Sequence, residues 1–121
     1  MDGKELLAGL EAIAGAENIV LLSSPCMTHG CVDGKIAFIE REMPTYSRRY
    51  FIGPPKHMMA SPAKILIDDN NENVLKFSQA GGKAVLVPRP WNASSHLVNH
   101  ATNSYDVDLL LSNVKQSWEN A

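Results

Sequence analysis

Asp68 and Asp69 stand side by side at the end of a short apolar run, Lys64-Ile65-Leu66-Ile67, and the polar stretch Asn70-Asn71-Glu72-Asn73 comes directly after them. Adjacent carboxylates at the carboxyl end of a buried strand face the crevice where open α/β sheets bind their ligands, and such a pair suits a hard cation such as magnesium. Two hydroxyls, Ser23 and Ser24, end a second apolar run, Ile19-Val20-Leu21-Leu22. Lys56 comes just after the breaker Gly53-Pro54-Pro55. Three segments thus bring a hydroxyl pair, a lysine and an acid pair toward one rim. Each has a plainer use: acids before a helix cap free amides, Ser-Ser-Pro makes turns, and lysines beside loops are commonly solvated.

Alternating helices and buried strands are needed to hold these groups. Leu6, Leu7, Leu10, Ile13 and Ala14 recur at helical spacing and predict a helix from Gly3 to about Gly15. Ile19 to Leu22 reads as a buried strand that Pro25 stops. After a glycine-containing loop, Asp33 is expected to cap a helix bearing Ile36, Ala37, Ile39 and Met43, with Pro44 as its end. Tyr50-Phe51-Ile52 reads as an edge strand. Val74, Leu75 and Phe77 predict a short helix closed by a left-handed cap at Gly81-Gly82.

Ala84 to Val87 is the next strand, and Pro88-Arg89-Pro90-Trp91-Asn92 must be loop, since two prolines in three residues exclude helix and ladder. Val107, Leu110, Leu111, Val114 and Trp118 mark a terminal helix, with Asp106-Val107-Asp108 near its start. The alternation predicts one α/β domain over residues 1–121 with a mostly parallel sheet.

Composition narrows the function classes. A chain of 121 residues with 45% hydrophobic content suits a single core, and a net charge of −2 offers no field that would draw a nucleic-acid polymer or an anionic membrane. No apolar stretch approaches the roughly 20 residues of a membrane span, and the start lacks a basic segment followed by a hydrophobic one, which predicts a soluble, cytoplasmic protein. Cys26 and Cys31 are too few for a disulfide scaffold and are expected as thiols. With His29 they form a compact Cys-x-x-His-x-Cys group, but a structural zinc site needs a fourth ligand, and loop thiols beside a surface histidine are the simpler reading.

The order Ser, Lys, Asp-Asp does not fit receiver domains of two-component signalling, where the acid pair comes first. It resembles the haloacid dehalogenase superfamily of phosphatases, and in particular the 5'(3')-deoxyribonucleotidases. Leu21-Leu22-Ser23-Ser24-Pro25 looks like their hydroxyl-bearing strand end, and Ile65-Leu66-Ile67-Asp68-Asp69-Asn70 like their magnesium-binding strand. Gly81-Gly82 through Val87, then Pro88-Arg89-Pro90-Trp91-Asn92, resembles the glycine turn, strand and Pro-Trp-Asn loop of those enzymes; the likeness spans roughly residues 5 to 95.

The resemblance implies a Rossmannoid three-layer sandwich without the cap. Ser23 and Ser24 would donate to a substrate phosphate, Lys56 would neutralise phosphate and nucleophile, and Asp68 and Asp69 would hold Mg2+. Lys64 is the alternative lysine, but its place before the strand puts it at the sheet's opposite end. Arg89 and Trp91 would reach a nucleotide from their loop, although Trp91 could equally cover the core edge.

One departure outweighs these matches. Family members begin with a strand ending in Asp-x-Asp, whose first acid attacks phosphorus, and here the spacing occurs only at Asp106 and Asp108. The chain alone is therefore expected to be a poor phosphatase or none: a truncated domain with a residual phosphate and magnesium site. The alternatives are a noncatalytic binding or interaction protein and one half of a split phosphomonoesterase. In this fold the missing strand lies between those ending at Ser24 and Asp68. The expectation is that these two pair directly or that a homodimer or complementing chain fills the gap, because an empty gap would strand buried backbone groups.

Overall fold

The computed structural model describes residues 2–23, 30–53 and 55–120. Its helices are α1 (Asp2–Ala14), α2 (Cys31–Glu42), α3 (Asn71–Gln79) and α4 (Val107–Glu119). The strands are β1 (Leu21–Ser23), β2 (Tyr50–Ile52), β3 (Ile65–Asp68), β4 (Lys83–Leu86), β5 (Val98–Asn99) and β6 (Ser104–Tyr105). The protein is thus a mixed α/β structure, and none of the helices among the described residues is long and apolar enough to cross a membrane.

Helix ends follow from local chemistry. The Asn70 side chain caps α3 by accepting from the Asn73 amide at 3.0 Å. At the other end Gly81, with φ +100°, donates to Ser78 O and Gly82 donates to Phe77 O, the paired bonds of a left-handed cap. The expected start of α2 at Asp33 is corrected: the helix begins at Cys31 behind Gly30, whose φ of +79° turns the chain into it. Asp33 lies instead in the first turn, facing the positive end of the helix dipole. Cys31 is disulfide-bonded, so the expected thiol is corrected there too, while Cys26 and His29 lie outside the described residues.

Two βαβ units form the frame. β1 pairs in parallel with β2, Leu21 opposite Tyr50 and Ser23 opposite Ile52, and α2 lies between them in the chain. β3 pairs in parallel with β4, Ile65 opposite Lys83 and Asp68 opposite Leu86, with α3 as the connection. A small antiparallel pair, β5 with β6, precedes α4 and was not expected from the sequence. Leu66 on β3, Phe77 on α3, and Leu110 and Val114 on α4 are buried around the β3–β4 unit, while Ile39 on α2 and Tyr46, the most buried side chain among the described residues, are buried beside β1 and β2.

The expectation that β1 and β3 pair directly is not met. Among the described residues they belong to separate two-stranded sheets. Both line one hollow of about 1230 Å³, together with Leu6, Leu10, Phe38 and Trp118. An unpaired edge is costly only when it is dry, and here the edge residues Leu22, Ile65 and Ile67 are only half-buried, with Val20, Phe51 and Phe38 beside them 49%, 48% and 41% exposed. Leu21 and Leu22, read from the sequence as buried, are half-buried for the same reason.

Candidate functional site

Asp68, the last residue of β3, uses both carboxylate oxygens. Its Oδ1 accepts from the Asp69 amide at 2.8 Å and from the Asn70 amide at 3.3 Å. Its Oδ2 accepts from Lys56 Nζ at 2.8 Å and from Asn73 Nδ2 at 3.1 Å. Lys56 opens a short 3-10 turn, Lys56–Met59, and Asn73 stands in the first turn of α3, so three elements meet on one carboxylate. Their side chains are 15% exposed for Lys56 and 9% for Asp68. Burial pushes the Asp68 pKa up, but the hydrogen bond and charge of Lys56, aided by Asn73 and the Asn70 amide, together hold it below the usual carboxylate range.

Asp69 turns the other way, and its Oδ2 accepts from Arg89 Nε at 3.3 Å. The Arg89 guanidinium also lies 5.9 Å from the centre of the Tyr105 ring, within cation–π range. The loop carrying Arg89 is pinned by Asn92, a buried polar residue that uses its full bonding capacity. Asn92 Nδ2 donates to Asp69 O at 2.9 Å and to Val87 O at 2.8 Å, and its Oδ1 accepts from the Arg89 and Ser94 amides. A single amide therefore ties the ends of β3 and β4 to the Pro-Trp-Asn loop. Trp91 is 65% exposed, which rules out the expectation that it covers the core edge.

The hydroxyl strand ends differently. Ser23 Oγ accepts from Lys35 Nζ at 2.7 Å, across to the first turns of α2. Ser23, Lys35 and Lys56 all line the hollow between β1 and β3; Ser24 lies outside the described residues. Lys64, just before β3, lines the same hollow from that strand's amino end, away from Asp68. The structure thus places Lys56 on Asp68, Arg89 on Asp69, and Ser23 on Lys35.

Lys35, Asn73 and Asn92 were missed in the sequence. Lys35 could have been found from its place four residues before Ile39, which puts both on the inward face of α2. Asn73 sits three residues after the capping Asn70, so its side chain returns toward the strand end. Asn70, not Asp68 or Asp69, is the N-cap of α3, while Asp68 does accept from the free Asp69 and Asn70 amides just before it, as the plainer reading expected of an acid there.

As a metal centre the donor set is lean. Among the described residues no group of three or more histidine, cysteine or acidic side chains converges. Magnesium is commonly bound by one or two carboxylates with water and phosphate oxygens completing the shell, so Asp68 and Asp69 fit it by chemistry. A carboxylate has about four lone-pair sites. Those of Asp68 are already engaged by Lys56, Asn73 and two amides. Asp69 is therefore the more available ligand.

Comparison with known proteins returned no match: none among family models, curated proteins or solved structures.

Proposed function

We propose that this chain is part of a haloacid dehalogenase-type phosphatase domain, related to 5'(3')-deoxyribonucleotidases, that holds a phosphate and magnesium rim but no attacking carboxylate of its own. The observation that carries the reading is the Lys56–Asp68 pair at the end of β3, with Lys56 and the Ser23 hydroxyl lining one hollow. In that role Lys56 neutralises a phosphate, Ser23 and Lys35 donate to its oxygens, and Arg89 orients Asp69. Asp68 and Asp69 would hold Mg2+, directly or through water, and the ion would offset charge on the phosphoryl oxygens.

Hydrolysis needs one more group. Asp106 caps α4 by accepting from the Leu109 amide at 3.1 Å, and Asp108 comes in the first turn, so the chain's Asp-x-Asp serves that helix. Nucleophilic attack on phosphorus requires a carboxylate in line with the leaving oxygen, and a lysine with a metal does not replace it. The chain alone therefore binds phosphate without turning it over. The hollow between β1 and β3 favours a second reading beside this one, in which another polypeptide supplies the missing strand and the acid of a split phosphomonoesterase.

The test is a pair of measurements on the purified chain. Deoxynucleoside monophosphates with magnesium should release no phosphate, while inorganic phosphate should shift the amide resonances of Ser23, Lys56 and Asp69 and cease to do so in Lys56→Met. Turnover that is magnesium-dependent and lost in Asp68→Ala would refute the noncatalytic statement. Absence of any phosphate-induced shift at those residues would remove the reading altogether.

A further inference from the structure

α2 is held unevenly along its length. Its carboxyl half is anchored: Ile39 is its buried residue, the Met43 amide donates to Ile39 O at 2.8 Å, and Glu42 accepts from Lys4 of α1 at 3.0 Å. The amino half has little of this. Val32, Asp33 and Gly34 are exposed, and the N-cap Gly30 offers no side-chain hydrogen bond, whereas Asn70 and Asp106 supply one to α3 and α4. Gly34 weakens the first turns further, since glycine gives up more backbone freedom than other residues on entering a helix.

What holds that end is covalent. Cys31, the first residue of α2, is half-buried and disulfide-bonded. Cys26 is the other cysteine of the sequence, four residues intervening, so it is the partner within one chain. Closing so short a loop removes less entropy from the unfolded chain than a long one would, so the bond acts locally rather than as a staple for the whole fold. Cys31 and Lys35 lie one helical turn apart on one face, with Ile39 a turn beyond. Lys35 reaches across to Ser23 Oγ at 2.7 Å. The bond that fixes the first residue of α2 thus fixes the place from which Lys35 meets β1.

We propose that the Cys31 disulfide is a redox-sensitive latch. Oxidised, it holds the first turns of α2 in place and Lys35 against Ser23; reduced, it releases them while the carboxyl half of the helix and the β3–β4 unit stay folded. The reductant is a small thiol of the glutathione class, which the exposed first turn admits. Its thiolate attacks one sulfur, the other sulfur leaves as a thiolate and takes a proton, and a second thiol resolves the mixed disulfide. The protein gains two electrons and two protons as two small thiols become one disulfide. Release of Lys35 also weakens a phosphate held by Ser23 and Lys35; that consequence rests on the phosphate reading, and the latch does not.

The test compares amide exchange, followed by NMR, in the oxidised full chain and in the same chain reduced by excess glutathione. The Gly34 amide, which donates to Gly30 O at 2.8 Å, and those of Lys35 and Ile36 should exchange at least about tenfold faster after reduction. The Met43 and Val87 amides, bonded to Ile39 O and Asp68 O, should be unchanged. Cys31→Ser should behave as the reduced chain does, with or without thiol. The proposal is overturned if Gly34, Lys35 and Ile36 keep their exchange rates on reduction, or if Met43 and Val87 lose protection with them, which would make the bond a staple of the whole fold. It is equally overturned if glutathione leaves the bond intact, or if mass spectrometry of the untreated protein finds Cys31 as a free thiol or joined to a second chain. Inorganic phosphate should bind the reduced chain about fivefold more weakly, as expected for the loss of one hydrogen bond. Equal phosphate affinity in the two states, with faster exchange at Gly34, would uphold the latch and count against the phosphate role of Lys35.

Discussion

Replacing Asp68 by asparagine tests whether the rim is a preformed electrostatic unit. Asp68 Oδ1 accepts from two backbone amides, so the oxygen of an asparagine must remain there and its NH2 must take the place of Oδ2. That NH2 then meets Lys56 Nζ and Asn73 Nδ2, which approach Oδ2 to 2.8 and 3.1 Å, and three donors face one another. A charge-assisted hydrogen bond contributes about 1.5–3 kcal/mol, and breaking a buried pair from one side costs about 3–5. With side chains 9% and 15% exposed, Asp68 and Lys56 lie close to the buried limit. The expected loss for Asp68→Asn is about 3 kcal/mol, or about 10 °C in Tm for a chain of this length.

Lys56→Met should cost less, about 2 kcal/mol, because Asp68 keeps Asn73 and its two amides. The double variant has no lysine for the introduced NH2 to oppose. It should lose about 3 kcal/mol, leaving a coupling energy of about 2. Urea unfolding followed by circular dichroism measures all three. A coupling below about 0.5 kcal/mol would place the pair among solvent-screened surface ion pairs and refute the claim that the fold holds this rim ready.

The pH profile of the same pair has a definite sign. The folded pKa of Asp68 is depressed, so its contribution is full above the unfolded value of about 3.9 and is lost as pH falls through the folded value; the Tm gap between wild type and Asp68→Asn should be constant near neutrality and close below about pH 4. Asn92→Ala should cost about 3 kcal/mol in urea unfolding, since it orphans two carbonyls and two amides, and should broaden the Arg89 resonances as the loop loosens. Magnesium added without phosphate should shift the Asp69 amide more than that of Asp68, whose lone pairs are engaged; equal shifts would contradict the bonding described for Asp68. Ser23→Ala should weaken phosphate binding by about fivefold in an NMR titration, the worth of one hydrogen bond of about 1 kcal/mol.

The element plan was legible because it rests on local physics. Ile65-Leu66-Ile67 could only be a buried strand, the Gly81 turn needed a residue free to adopt positive φ, and two prolines forced the loop at Arg89. Lys56 and Asp68 were each singled out in the sequence, for a phosphate and for magnesium, but their ion pair with each other was not read there. Other partners could not be read in the same way. Spacing from Ile39 puts Lys35 on the inward face of α2, but that it meets Ser23 there depends on the placement of α2 against β1, a tertiary relation. Asn92 looked like an ordinary turn residue; its four bonds exist only because β3 and β4 end side by side. Direct pairing of β1 with β3, one of the two arrangements expected, presupposes a dry interface between them, and an open hollow removes the penalty for leaving their edges apart.

The division of the core explains how the two halves can stand apart. β3 and β4 pair over four residues and are backed by the buried Phe77, Leu110 and Val114, whereas β1 and β2 pair over three, with Ile39 on α2 and Tyr46 in the turn before β2 as their buried neighbours. An isolated two-stranded sheet is marginal in water, so the β1–β2 unit depends on what surrounds it. Its side of the hollow carries Val20, Phe38 and Phe51, large apolar side chains left partly in water. Covering each would be worth about 1–2 kcal/mol at about 25 cal/mol per Å². Lys56, Asp68, Asp69 and Arg89 stand on or beside the better-supported unit, whereas Ser23, Lys35 and the exposed apolar lining belong to the other. On the proposed reading a phosphate held by Lys56 on one side and by Ser23 and Lys35 on the other would bridge both units across the hollow, so its affinity should depend on how firmly the β1–β2 unit is held.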